Sequence, residues 1–340
     1  MNERSQEDWL GHDEKYALIG LSVNLEDGVP RGAMMPNLSF LTDANFQVPP
    51  LWQEWLGSVR CEEISGCNLF LLSTMKSKKA AVLDAENQIL QSRVWSFYVG
   101  LLMTCLFSPA HKPNLLTGAR EGGEIGIFEH SELDFPPPGM IVPYPSISGA
   151  SLKAAAQLGE HLVAFNATDV PGGRWRLNRI RHLFVETKAQ RELLDRIHQF
   201  TRCIDGLIVT QPGYGSKQFK SRTELFVGSR HHVLMGEIYD VRSKVEHLRE
   251  HLYLEEFDRE ARLELVKKEA VIEFVARKAL ARIMGDPRLW PYFANTAALD
   301  QFWASAEDER RRIWGPAIDP LDALKDFNPS YIQDNELGGP

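Results

Sequence analysis

The chain has 340 residues, of which 44% are hydrophobic and 25% are charged, and its formal net charge is −8. This composition excludes disordered and fibrous proteins and indicates a globular fold of one large or two ordinary domains. The negative charge opposes binding to nucleic acid, so any RNA or DNA site must be a local basic patch.

The cysteines and the apolar segments indicate the cellular compartment. The four cysteines include no CxxC pair, and they are too few for a disulfide scaffold, so we expect reduced thiols. The N-terminus is acidic and polar, unlike a secretory signal. The longest apolar run, at 94–108, is shorter than the roughly 20 residues of a membrane-spanning helix. We therefore predict a cytoplasmic protein without a membrane segment.

The first part of the chain has the pattern of a mixed α/β region. Short apolar runs at 16–23, 68–74 and 124–130 lie between turn residues and predict strands. The segment 79–106 predicts one long helix. Five prolines in 134–149 are incompatible with a helix interior and predict a domain boundary.

The rest of the chain has helical periodicity. The segments 150–165, 176–209, 237–254 and 262–284 predict helices that are joined by breaks containing Gly or Pro. The predicted fold class is α+β, with a mixed α/β domain of unknown role followed by an all-α helical bundle. The predicted divisions are 1–148 for the first domain, 149–327 for the bundle and 328–340 for a flexible tail.

Three segments in the predicted bundle carry a resemblance to a known family. FTRCIDGLIV at 200–209, KQFKSRTELFVG at 217–228 and GEIYDVRSKVEH at 236–247 resemble the C-terminal part of ApeA-like HEPN proteins. The resemblance extends over about residues 150–285. The residues that carry it are Arg202, Arg222, Tyr239, Asp240, Arg242, Ser243 and His247.

The resemblance implies a helical, HEPN-like domain that forms a homodimer and acts on RNA without a metal or another cofactor. Many HEPN proteins are metal-independent ribonucleases, some of them defence proteins or toxins, and their catalytic arginine and histidine correspond to Arg242 and His247. Other HEPN proteins are catalytically inactive modules for dimerisation or for binding RNA, nucleotides or proteins. The chain departs from the family pattern at Ser243, where Asn, Asp or His is common, and at Leu248, where Gly is common.

The spacing of Arg242 and His247 is a weak signal without its flanking residues. Arg176 with His182, and Arg191 with His198, have comparable spacings in the same chain. In metal-free RNA cleavage, histidine suits proton transfer because its pKa is about 6.5. Arginine suits the phosphate because it is always charged and can bind two oxygens. Attack by the 2′-oxygen leaves a 2′,3′-cyclic phosphate, and DNA is not cut.

Two local geometries are compatible with this segment. Apolar residues from Leu234 to Leu252 recur at helical spacing and favour one continuous helix. Such a helix would place Arg242 and His247 about 140° apart, so a second subunit would have to complete the site. Alternatively, SKVE at 243–246 matches a capping box, and a helix that begins at Ser243 would bring the two side chains together.

The remaining candidates are three neighbours of Arg242 and one basic stretch. We expect Tyr239 and Asp240 to pack or to orient their neighbours, and Glu246 to be a cap or a solvated charge. The most basic stretch, which lies beside Trp175, is either an RNA-binding track or a solvated helix face. Its residues are Arg174, Arg176, Arg179, Arg181 and Lys188.

A third interpretation is a zinc site. His247, Glu250 and His251 match the HxxEH pattern of zinc hydrolases, in which two histidines lie on one helical face. Such a site needs another ligand from elsewhere, and no motif supplies one. We therefore expect no metal.

Overall fold

The computed structural model describes residues 9–29, 35, 37–137, 145–170, 172–211, 213–249 and 256–327. The fold class is α+β. The chain divides into two compact units. The first comprises Met1–Pro136 with Tyr144–Ala167, and the second comprises Pro137–Pro143 with Thr168–Pro340.

The first unit contains a five-stranded antiparallel sheet with the strand order β2-β3-β1-β4-β5. The strands are β1 Glu14–Leu21, β2 Ser39–Thr42, β3 Leu69–Lys76, β4 Asn114–Glu121 and β5 Glu124–Glu132. The central strand β1 is buried from Lys15 to Leu21. This burial explains why its sequence is a continuous apolar run rather than an alternating one.

Three helices belong to the same unit: α1 Trp52–Ser65, α2 Ala85–Thr104 and α3 Gly149–Ala167. The helix α2 packs on the sheet and on α3. It begins later than the sequence predicts because Asp84 caps it, accepting a hydrogen bond from the Glu86 backbone at 2.9 Å. A separate aromatic cluster includes Trp9, Tyr16 and Trp52.

The helix α3 lies in the first unit, whereas the sequence assigned it to the second. Its close packing on α2 explains the difference. A Cβ atom added at Gly100 would lie 2.3 Å from the Ala155 carbonyl oxygen, and one at Gly159 would lie 3.0 Å from the Phe97 Cα. The two helix backbones therefore touch where glycine leaves room, and the division falls after α3 rather than before it.

The described part of the second unit is helical. Its helices are α4 Trp175–Lys188, α5 Leu193–Ile208, α6 Gly215–Val227, α7 His232–Glu246, α8 Arg259–Gly285, α9 Trp290–Phe293, α10 Thr296–Ala304 and α11 Glu307–Trp314. The helix α5 contacts α4, α6, α7, α8 and α10. The segment predicted as one helix at 176–209 is two helices, because the backbone at Glu192 is extended.

The helix α7 is continuous through Ser243, so the capping-box start at that residue does not form. The continuous-helix prediction holds only as far as Glu246. His247 is the C-cap, and Leu248 follows with a φ of 52° and a side chain that is 92% exposed. Leu248 therefore continues the apolar spacing beyond the helix without being buried.

The sequence predicts reduced thiols and no membrane-spanning segment. All four cysteines are free thiols. Across the described ranges, no helix combines the length with the apolar composition that a bilayer span requires.

Candidate functional site

The helices α5 and α7 pack against each other and bring two polar stripes together. Each stripe follows one helical face, because side chains three and four positions apart are neighbours on a helix. The stripe residues are His198, Arg202 and Asp205 on α5, and Tyr239, Arg242 and Glu246 on α7.

Glu246 is the centre of this α5–α7 cluster. Its Oε2 atom contacts the Nε2 atom of His198 and lies 3.5 Å from the Nη2 atom of Arg242. The hydrogen bond from His198 lowers the pKa of Glu246. The positive charges of Arg242, His198 and Arg202 lower it further, against the opposing effect of partial burial. Glu246 is therefore an ionised carboxylate shared by an arginine and a histidine.

The guanidinium of Arg242 is largely enclosed, with 18% of the side chain exposed. Its central carbon lies 5.5 Å from the centroid of the Tyr239 ring. Its Nε atom is buried and has no hydrogen-bond acceptor among the described residues. An unsatisfied buried donor costs about 1–3 kcal/mol, and such a cost in a native structure requires an explanation.

Asp205 contributes a second negative charge to the surroundings of Arg242. Burial raises the pKa of this carboxyl, while Arg242 and a hydrogen bond from Thr210 act in the opposite direction. The Thr210 hydroxyl donates to Asp205 at 3.3 Å. Arg202 is exposed, and its Nη1 atom donates to Gln199 at 3.1 Å.

Tyr239 packs beside the arginine. Its ring centroid lies 4.9 Å from that of Phe219, and a Cβ atom added at Gly215 would lie 2.4 Å from its hydroxyl oxygen. Burial raises the pKa of the phenol, so Tyr239 remains protonated near neutral pH. Tyr239 in this position packs against the guanidinium of Arg242.

His247 is exposed at the end of α7 and makes no side-chain hydrogen bond or ion pair with the described part of the chain. The backbone amide of His247 donates to the Ser243 carbonyl at 3.1 Å. Asp240 is also exposed. Arg242 and His247 are therefore close in sequence but do not share a hydrogen-bonding partner.

His198 is the histidine that shares a carboxylate with Arg242, and sequence reasoning missed this role. The sequence places His198 at a comparable spacing from Arg191, but its partner in the structure is Glu246, 48 positions away. A usable signal was present in the polar stripe of α5, since His198, Arg202 and Asp205 recur at helical spacing among buried residues.

Arg222 makes its described contacts outside this cluster. Its Nη1 atom donates to the Val209 carbonyl at 2.6 Å and also to Ile208. Its guanidinium carbon lies 5.1 Å from the centroid of the Trp303 ring. The structure therefore separates Arg222 from the other residues of the family resemblance.

The predicted RNA-binding track is not a continuous surface. Lys188 is 7% exposed and pairs with Glu273 at 2.9 Å. Arg176 donates to the Gly206 carbonyl at 2.7 Å and to the Thr296 hydroxyl at 3.2 Å. These two cations bind within the fold rather than at a surface, which corrects the predicted track.

The other three arginines of the stretch differ in their exposure to solvent. Arg179 is exposed, and Arg174 and Arg181 are half-buried. Arg174 donates to the Thr168 carbonyl. Burial lowers the pKa of Arg181, and the charge of Arg174 adds to this effect.

The HxxEH match lies partly outside the described residues, since Glu250 and His251 are among those not described. Among the residues that are described, no group of three or more His, Cys, Asp or Glu side chains is arranged to hold a metal ion.

Comparison of the chain with protein-family models, with curated proteins and with solved structures gave no match.

Proposed function

We propose that the protein is a metal-independent endoribonuclease and that its helical second unit is a HEPN-like domain. The reacting pair is Arg242 and His247. The observation that supports this proposal is the position of Arg242, held by Tyr239 and Glu246 on the last turns of α7, just before the exposed His247.

Arg242 is suited to bind the scissile phosphate. A guanidinium is always charged and can donate to two phosphate oxygens. Its contact with Glu246 is 3.5 Å long, whereas a strong charge-assisted hydrogen bond is about 2.7–2.9 Å. A phosphate can therefore compete with Glu246 for this cation.

His247 is suited to transfer protons because its ring is exposed and is not occupied by a described partner. The imidazole of His247 removes the proton of the 2′-hydroxyl, the 2′-oxygen bonds to phosphorus, and the bond from phosphorus to the 5′-oxygen breaks. The imidazolium formed in this way delivers its proton to the leaving 5′-oxygen. The products carry a 2′,3′-cyclic phosphate and a 5′-hydroxyl.

His198 and Glu246 act as positioning residues in this proposal. The imidazole of His198 is 13% exposed and is bonded to Glu246, so it fixes the carboxylate that orients Arg242. Two copies of the chain, paired through the helical unit, would bring the arginine of one copy near the histidine of the other.

The experiment is cleavage of single-stranded RNA in excess EDTA. We expect Arg242→Ala and His247→Ala to lower the rate by about a hundredfold or more, the scale of losing phosphate stabilisation or proton transfer. His198→Ala should lower the rate less. It should also raise the KM for RNA, because Arg242 loses its orientation. Arg312→Gln is the control, since this side chain is 79% exposed on α11.

Cleavage that survives Arg242→Ala, or that requires an added metal ion, contradicts the proposal. If His198→Ala abolishes cleavage while His247→Ala does not, the assignment of His247 is wrong, although the proposal of ribonuclease activity still holds.

A catalytically silent RNA-binding module is the second candidate. The observation in its favour is that Glu246 already contacts both His198 and Arg242, so this network stabilises the packing of α5 on α7 without a substrate. Such a module would bind RNA, leave it intact under every condition, and lose affinity in Arg242→Ala.

A further inference from the structure

Arginines that the α5–α7 cluster does not use line a pocket formed by α6, α10 and α11. The pocket has a volume of about 400 Å³, which is within the range of small-molecule sites. Its polar lining consists mainly of arginine and glutamate side chains around Trp303. The charged lining residues are Arg222, Glu224, Glu307, Arg310 and Arg311.

Arg222 and Arg310 both lie against the same indole ring. Their guanidinium carbons are 5.1 Å and 5.4 Å from the centroid of the Trp303 ring. Burial lowers the pKa of Arg222, and the positive charge of Arg310 lowers it further, while the negative charge of Asp300 acts in the opposite direction. Two like charges that influence each other are destabilising unless an anion lies between them.

Backbone carbonyls accept hydrogen bonds from only one nitrogen of each guanidinium. The Nη1 atom of Arg222 donates to carbonyls at the C-terminal end of α5, where Val209 has a φ of 50°. The Nη1 atom of Arg310 donates to the Trp303 carbonyl at 3.1 Å and also to Ser305. The Nε and Nη2 donors of both arginines have no protein acceptor within the described ranges.

The carboxylates of the pocket already have other side-chain partners. Glu307 binds Arg311 at 2.7 Å, and Glu224 binds the Nδ1 atom of His232. Within the part of the chain that the structure describes, neither Arg222 nor Arg310 has a carboxylate at ion-pair distance. The pocket therefore holds two guanidinium groups without a directly paired carboxylate, in a protein whose formal net charge is −8.

We infer that this pocket binds the phosphate group of a phosphomonoester. A phosphate dianion matches two guanidinium groups that lack a directly paired carboxylate, and its tetrahedral oxygens accept hydrogen bonds from the donors that remain on both arginines. The volume of about 400 Å³ exceeds what the phosphate needs, so a further part of the ligand can enter. This inference does not depend on the proposed ribonuclease activity.

Calorimetric titration of the full chain tests the inference, with inorganic phosphate, AMP and adenosine as probes at low ionic strength. We expect phosphate and AMP to bind and adenosine not to bind. Arg310→Gln should weaken AMP binding by about tenfold or more, the scale of losing one charged hydrogen-bonding partner. Arg312→Gln is the matched control, because it removes the same charge from an exposed position on α11.

A second variant keeps the test decisive if Arg310→Gln disturbs the end of α10. Glu307→Gln removes a negative charge from the pocket and releases Arg311, and its side chain is 65% exposed. We expect AMP to bind about two- to fivefold more tightly, as for a partly screened charge. Binding of adenosine equal to that of AMP, or weaker AMP binding in Glu307→Gln, overturns the inference.

Discussion

Glu273 binds two cations in the interior of the second unit. The side chain is 7% exposed, and its Oε1 atom lies 2.9 Å from both Lys188 and Arg277. Burial alone would raise the pKa of this carboxyl, but Arg277 and Lys188 together outweigh burial and lower it. The group therefore joins α4 to α8 through a buried charge network.

The change Glu273→Gln leaves two buried cations without their counter-charge. We expect the free energy of unfolding to fall by about 3–5 kcal/mol, as for other buried ion pairs that lose one partner. Chemical denaturation measures the difference. Glu264→Gln on the same helix is the control, since its pair with Lys267 is half exposed and is expected to contribute less than about 1 kcal/mol.

The stability supplied by Glu273 should depend on pH in a defined direction. Its folded pKa lies below the ordinary value of 4.5, so the stabilisation is present above that value and is lost as the pH falls through the folded pKa. The gap between the wild type and Glu273→Gln should therefore narrow as the pH falls below the ordinary value of 4.5. A gap that widens on acidification would show that the carboxylate is not stabilised by its partners.

Sequence reasoning at the residue scale selected Arg242 but not its contacts. The flanking residues selected this arginine, whereas His198, which shares the Glu246 carboxylate with it, comes from another helix. Lys188 was predicted to meet RNA because of its basic neighbours, but its partner Glu273 is 85 positions away. Pairing between distant side chains is decided by packing, and local patterns do not contain that information.

At the scale of elements, the contact between α2 and α3 depends on glycine. We expect Gly100→Ala to lower the free energy of unfolding by about 1–3 kcal/mol, because the added methyl group meets the Ala155 carbonyl and the helices must separate. Thermal or chemical denaturation tests this prediction.

Gly66→Ala is the control for that experiment. Gly66 has an ordinary φ of −77°, and an added Cβ atom would meet only backbone oxygens at 3.5 Å. Its effect should stay within about 0.5 kcal/mol. Equal effects of the two changes would mean that the backbones of α2 and α3 are not in close contact at Gly100.

Most elements could be predicted from apolar periodicity, but their ends could not. The strands β1, β3 and β5 and the helices α3, α7 and α8 all overlap predicted segments. The end of α7 was missed because Leu248 continues the apolar spacing although the residue is exposed and has left the helix. The break between α4 and α5 was missed because neither Gly nor Pro marks it.

At the scale of the whole molecule, the α+β composition and the helical second part followed from the order of patterns along the chain. The proline-rich segment 134–149 indicated a boundary, but α3 after it packs back on the first unit. Glycine contacts of this kind become visible only when two helices are placed together, so the sequence alone could not assign α3.

Pairing of two copies can be tested by mixing inactive variants. If Arg242 of one copy acts with His247 of the other, a mixture of Arg242→Ala and His247→Ala chains contains some dimers with one intact site. We expect refolding the two variants together to restore part of the RNA cleavage that neither has alone. No recovery, although mixed dimers are present, would place both residues of a site in one copy.

The chemistry of the RNA ends formed in excess EDTA is the most direct measurement of the proposed reaction. We predict that the wild-type protein leaves 2′,3′-cyclic phosphate ends, that Arg242→Ala leaves none above background, and that DNA of the same sequence stays intact. Ends that carry a free 3′-hydroxyl, or an equal yield of cyclic phosphate from the Arg242→Ala protein, would contradict it.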